Sequence, residues 1–319
     1  MAQPKVSEAE FIELFRRYKS ATKVAEITGA GVRSVQHRRK AIEQRHGFLF
    51  ETLDSAGKPR YKMPEDKLRA TYDIENGVIV VGSDAHYWPG YVSTAHRAFV
   101  SFVKTYKPNM VVLNGDIFDG HTISRHHRIG FDGGPTVQQE LEEVQARLGD
   151  IEAVRPAGCI LHRTIGNHDM RFEGKLSNVL PQYEGVHGVM LADHLPHWNY
   201  SWSLMVNGDC MIKHRYHNGI HATYNNTLKS GTSMVTGHLH SLKVTPWTDY
   251  TGTKYGVDTG TLSNIDPSKF LYLEDNPVNW RSGFTILTFR NGELLPPELV
   301  QVIDEDAGEV FFRGEVIKV

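Results

Sequence analysis

Apolar and polar positions follow two different rhythms along this chain, and the rhythm changes near residue 77. Before that point the spacing is helical. Residues 7–20 put Phe11, Ile12, Leu14 and Phe15 on one helical face, with Ser7 as N-cap and Glu10 closing a capping box. Val24, Ala25 and Ile27 then precede a glycine turn at Gly29 and Gly31, and Val32, Val35 and Ile42 mark the inner face of a third helix. FLFETLDSAGKPRYKM reads as strand, turn and strand. From Gly77 onward, compact apolar runs alternate with amphipathic ones, the grammar of an α/β (α+β) chain. Strands are expected at GVIVVGS, NMVVLNG, GCILHRTIGN, SWSLMV, DCMIKH, SMVTGH, KYGVDTG and FTILTF. Helices are expected over VSTAHRAFVSFVKTYKP and TVQQELEEVQARLGDIEAV, and GEVFFRGEVIKV reads as a closing hairpin.

This pattern predicts a small N-terminal helical domain over residues 1–62, a charged linker over 63–76 and a large domain over 77–319. Charge supports the division. Residues 1–70 carry 15 Lys+Arg against 9 Asp+Glu, while the whole chain has a formal charge of -2. The small domain resembles a helix-turn-helix, and its following strands suggest a winged variant. Arg33, Gln36, His37, Arg38, Arg39 and Lys40 form the outer face of its third helix, where they are expected to contact DNA or RNA. A docking or assembly role is the alternative for such a unit.

Cys159 and Cys210 sit in apolar runs and read as buried thiols of a reducing compartment. No apolar run is long enough for a membrane span and no leader-like segment opens the chain, so a cytoplasmic location is expected. The 17 histidines fall mainly between His86 and His240. Metal chemistry gives them a purpose.

Five short motifs follow predicted strands in the order GSDAH, NGDIFD, IGNHD, IKH and TGHLH. Asp84 and His86 are spaced i, i+2, so an extended backbone sends both to one side, where they can grip one cation. Asp116 suits a bridging carboxylate, since two adjacent cations repel strongly unless an anion sits between them. Asp119 is expected to orient a neighbour. Asn167 offers a neutral oxygen; His168 beside it is left to act on substrate, with Asp169 expected to fix its tautomer. His214, His238 and His240 complete the set.

The ordered motifs D-x-H, G-D-x-x-D, G-N-H-D, H and G-H-x-H resemble those of the calcineurin-like metallophosphoesterase superfamily over roughly residues 77–265. In layout the chain is also similar to phage-encoded proteins of that family. The resemblance implies a four-layer αββα sandwich of two mixed sheets with two divalent metal ions at strand ends. It assigns Asp84, His86, Asp116 and His240 to one metal, and Asp116, Asn167, His214 and His238 to the other, with His168 as catalytic histidine. His217 in IKHRYHNG is the alternative to His214, or a substrate contact. Manganese is the expected metal, with iron, zinc or nickel suited to the same mixed ligands.

Two cations would lower the pKa of a bridging water and leave hydroxide in line with a phosphate ester. The basic N-terminal unit favours nucleic acid, DNA first, as substrate. So does the loop HTISRHHRIG, where Arg125, His126, His127 and Arg128 follow the second motif and would grip flanking phosphates. The alternatives are a phosphatase or cyclic-nucleotide phosphodiesterase acting on a small molecule or phosphoprotein, and a non-catalytic scaffold.

Overall fold

A computed structural model describes residues 6–46, 50, 68–125, 133–265 and 276–319. The chain divides into two compact units, Met1–Pro64 and Glu65–Val319. In the first unit, α1 (Glu8–Tyr18), α2 (Ala21–Thr28) and α3 (Val32–His46) follow one another through short turns. The Ser7–Glu10 capping box is present, and Gly29 ends α2 in the left-handed conformation, at φ 62°. Phe11, Phe15, Val24, Ala25, Val35, Ile42 and Phe50 form the core. Val32, expected on the inner face, is exposed, as is Ile27; Thr28 is buried, its hydroxyl donating to the Val24 carbonyl.

Arg33, Gln36, His37 and Lys40 project from α3 as the sequence suggests. Arg38 and Arg39 do not. Arg38 lies over the Phe11 ring at 4.7 Å and donates to the Val6 carbonyl; Arg39 lies over Phe15 at 5.8 Å and pairs with Glu43. Their guanidinium groups cover aromatic rings that three short helices do not fully enclose. The expected wing falls outside the described residues, apart from Phe50.

The second unit begins earlier than expected. Within the stretch read as linker, β1 (Arg69–Tyr72) pairs in parallel with a strand more than a hundred residues later. Then follow β2 (Gly77–Gly82), α4 (Thr94–Tyr106), β3 (Met110–Asn114), α5 (Val137–Val154), β4 (Ile160–Thr164), α6 (Asp169–Val179), β5 (Asn199–Ser201), β6 (Ser203–Val206) and β7 (Cys210–Ile212). Next are α7 (Ala222–Ser230), β8 (Ser233–Thr236), β9 (Lys243–Asp249), β10 (Gly252–Asp258) and β11 (Gly283–Arg290). The short β12 (Glu293–Leu294) precedes β13 (Glu298–Asp304), β14 (Glu309–Phe312) and β15 (Glu315–Lys318). Two mixed sheets result, ordered β15-β14-β13-β11-β2-β3-β4-β5 (β12 pairing with β11) and β1-β6-β7-β8-β10-β9.

Strand alternation explains the layers. Ile79, Val81, Met110 and Val112 pack against Leu204, Val206, Ile212, Val235 and Val257 between the sheets. Val80, Val111 and Leu113 point the other way, into a second core with Phe99, Phe102, Val144 and Leu148 of α4 and α5. On the far face α7 lies against β10, so the four-layer order is helices, sheet, sheet, helix. Cys159 and Cys210 are buried free thiols. Among the described residues no helix is long and apolar enough to cross a membrane.

The α7–β10 contact is close enough to exclude any side chain at Gly256, where an added Cβ would lie 1.9 Å from the Thr223 carbonyl oxygen. Gly256→Ala should therefore cost about 1–3 kcal/mol in overpacking. Gly174→Ala on the open face of α6, where an added Cβ meets nothing within 4 Å, should gain roughly 0.5–1 kcal/mol in helix propensity. Thermal unfolding of the pair checks this, and shifts of the same sign would contradict the packing.

Candidate metal centre

Apolar strands carry the chemistry to one place. β2, β3 and β4 run parallel in one sheet, and β7 and β8 run parallel in the other, so their C-terminal ends deliver all five motifs together. Three groups of metal-ligating atoms arise: Asp84, His86 and His240; His86, Asp116 and His168; and Asp116, His214 and His238. Asn167 joins through its side-chain oxygen, 3.2 Å from His214 Nε2. All seven residues expected as ligands lie in this cluster. His217 does not: its ring packs on Tyr216 and its backbone N–H donates to Asn226.

The backbone at these positions is unusual. Asp84, His86, Asp116, His238 and His240 all have positive φ, between 39° and 72°. For residues other than glycine this conformation is uncommon and costs roughly 1–3 kcal/mol, and it concentrates at functional sites. Two motif glycines allow the approach of their neighbours. A Cβ at Gly166 would fall 2.1 Å from Asp116 Oδ1, and one at Gly237 2.5 Å from Asp84 Oδ2.

The donor atoms fit cations. His214 Nδ1–H donates to the Asn114 carbonyl at 2.8 Å, which turns Nε2 inward toward Asp116 Oδ2 at 3.1 Å and Asn167 Oδ1. A bare imidazole nitrogen facing two oxygens is repulsive unless a proton or a metal ion sits among them. Asp84 Oδ1 is buried without a hydrogen-bond partner, 3.1 Å from His240 Nε2. That atom too is placed for a cation.

Charge balance tells the same story. Burial opposes ionisation of Asp84, yet His240 and His214 outweigh it and hold its carboxyl down to about 2. Asp116 is held below the carboxylate range, burial again being outweighed, chiefly by His214. Burial disfavours charge on His86, but Asp119 raises it to about 9; Asp116 and Asp84 likewise raise His214 to about 10. His238, pushed down to about 4 by burial and by His214, stays neutral and ready to coordinate.

Of the two motif aspartates with expected orienting roles, Asp119 has the one that the sequence suggests and Asp169 does not. Asp169 was expected to fix the His168 tautomer; instead its buried carboxylate accepts from the backbone N–H groups of Asp116, Ile117, Phe118 and Gly166 at 2.9–3.2 Å. As the first residue of α6 it turns back beneath the β3 loop and ties two motifs together. Asp119 does the orienting. Its Oδ1 accepts from His168 Nδ1 at 2.9 Å and from His86 Nδ1 at 3.0 Å. Sequence reasoning missed Glu140, which accepts from the Gly120 and His121 N–H groups and whose burial raises it to about 7. It also missed Arg171, which donates to His168, and Trp280, whose ring meets that of His240 at 4.6 Å. Arg125 is exposed, while His126, His127 and Arg128 lie outside the described residues.

No family model matches the chain. The gene 54 protein of Mycobacterium phage D29 is 26% identical over 246 residues, covering 65% of this chain and 87% of the phage protein. Among solved structures, the zinc complex of Vps29 from Entamoeba histolytica is similar at 13% identity and a TM-score of 0.40, covering 75% of this chain and 98% of Vps29. An archaeal phosphodiesterase is similar at 14% identity and a TM-score of 0.36, covering 70% and 99%. The two-sheet sandwich and the five motifs gathered at its strand ends are the features of the calcineurin-like metallophosphoesterases that the sequence resembles.

A metal-loading experiment follows from the charge balance. His86 and His214 hold their protons through neutral pH, and each must release one before its ring can bind a cation. Apparent Mn²⁺ affinity, measured by competition with a chelator, should therefore rise from pH 6 to pH 8 with net proton release. An affinity independent of pH would mean that these rings have no proton to release on metal binding.

Proposed function

We propose that this chain is a metal-dependent phosphoesterase that hydrolyses phosphodiester bonds of nucleic acid, DNA foremost. One observation carries the hydrolase reading: carboxylate, amide and imidazole donors from five distant motifs converge with their lone pairs facing one another. Asp84, His86, Asp116 and His240 would hold one divalent ion, and Asp116, Asn167, His214 and His238 the other. Such a pair supplies Lewis-acid charge and an activated water. The chain's own residues supply the rest. Asp119 holds the His168 ring through Nδ1, and His168, once its Nε2 has taken up a proton from solvent, passes that proton to the departing ester oxygen, a contribution of about 10²–10⁴ in rate.

The nucleic-acid part of the proposal rests on the exposed Arg33, Gln36, His37 and Lys40 of α3 and on the positive balance of residues 1–70. Arg125, exposed after the second motif, adds a cation for flanking phosphates.

The discriminating measurement sets bis-p-nitrophenyl phosphate, p-nitrophenyl phosphate and single- and double-stranded DNA side by side, with Mn²⁺ or EDTA. Metal-dependent cleavage of the diester and of DNA is expected. The double variant R33E/K40E should weaken DNA binding and cleavage while sparing the model diester. Hydrolysis of the monoester alone would instead favour a phosphatase whose basic unit serves assembly.

A further inference from the structure

Arg171 lies in the first turn of α6 with its guanidinium against the catalytic histidine. Nη1 donates to the Asp119 carbonyl at 2.8 Å, and Nη2 to His168 Nε2 at 3.1 Å. The stem is wedged beside Gly120, where an added Cβ would come within 3.1 Å of the arginine Cβ. A guanidinium can only donate and a carboxylate can only accept. His168 therefore carries its proton on Nδ1, toward Asp119, and offers a lone pair at Nε2. In this arrangement it has no proton to give a departing oxygen.

Among the described residues no carboxylate pairs with Arg171 through a hydrogen bond or ion pair. A permanently charged fork donor is thus spent on a backbone carbonyl and a neutral ring nitrogen, much weaker acceptors than a phosphoryl oxygen. It occupies the rim of the metal centre, since the His168 backbone N–H donates to Asp116 Oδ1 at 2.7 Å and the His168 ring meets His86 at 4.6 Å.

We propose that Arg171 is a catalytic, phosphoryl-binding residue: when an ester enters, its Nη2 leaves His168 for a non-bridging phosphoryl oxygen, while Nη1 keeps its bond to the Asp119 carbonyl. The exchange frees His168 Nε2 to take up a proton from solvent and pass it to the departing oxygen, and places positive charge where negative charge builds up in displacement. This inference rests on the phosphoesterase reading and is independent of whether the substrate is nucleic acid.

The test places R171A and R171K in the wild-type and H168A backgrounds. It measures inorganic phosphate binding to the Mn²⁺-loaded protein by calorimetry, hydrolysis of bis-p-nitrophenyl phosphate, and metal content. R171A is expected to weaken phosphate binding at least tenfold and lower kcat/KM on the order of 10² with metal content unchanged. R171K should recover part of both, and both losses should persist when His168 is absent. If R171A changes neither phosphate affinity nor rate in the H168A background, Arg171 serves only to hold the histidine and the proposal is overturned. A wild-type protein that hydrolyses no ester would end the phosphoesterase reading, but phosphate binding would still decide the arginine: equal affinity in R171A overturns it. Should R171A fail to fold, R171K and R171Q carry the same comparison.

Discussion

Two buried carboxylates set the terms for this molecule. Asp84 and Asp116 lie where the two sheets meet, each making ionisation of the other harder. In an interior of low dielectric such a pair persists only with positive charge close by. His240 and His214 provide it in the chain itself, and a divalent pair would do so more strongly. The strand order answers this need, because each sheet alone holds only part of the charge balance: the carboxylates end β2 and β3 of the larger sheet, and His214, His238 and His240 follow β7 and β8 of the smaller.

Around the donors, backbone atoms are fastened by buried acids that never face the centre. Asp169 gathers four N–H groups from two motifs, and Glu140 gathers two from the loop beyond the second. Such anchors hold ligands within the tolerance that coordination requires and oppose the strain of five positive φ values. The aspartate of the G-N-H-D motif therefore stabilises the site by shaping the loops, while the second aspartate of G-D-x-x-D addresses the histidines.

The candidate ligands were legible because their motifs close strands that begin in apolar residues, and strand ends are where a layered sandwich opens to chemistry. Asp169 was misread because adjacency in sequence suggests contact; the start of α6 turns its carboxylate away from the neighbouring ring. β1 was invisible, since RATY is short, alternates exposed with half-buried positions and gains strand character only from pairing with β6. Arg171 gave no signal in the sequence, since a charged side chain in the first turn of a helix usually faces solvent. Ile27 and Val32 mark the limit of periodicity in a three-helix unit, where a turn a few residues long rotates the inner face away from an apolar side chain.

One oxygen, Asp119 Oδ1, receives N–H bonds from both His86 and His168. The ring proposed to hold a cation and the ring proposed to handle the proton are consequently hinged on a single atom. Any adjustment of one bond length, by exchange of one ion for another of different radius, would tilt the second imidazole as well. Under the proposed function, ion preference and proton delivery would have a common mechanical origin, and selection acting on either would carry the other with it.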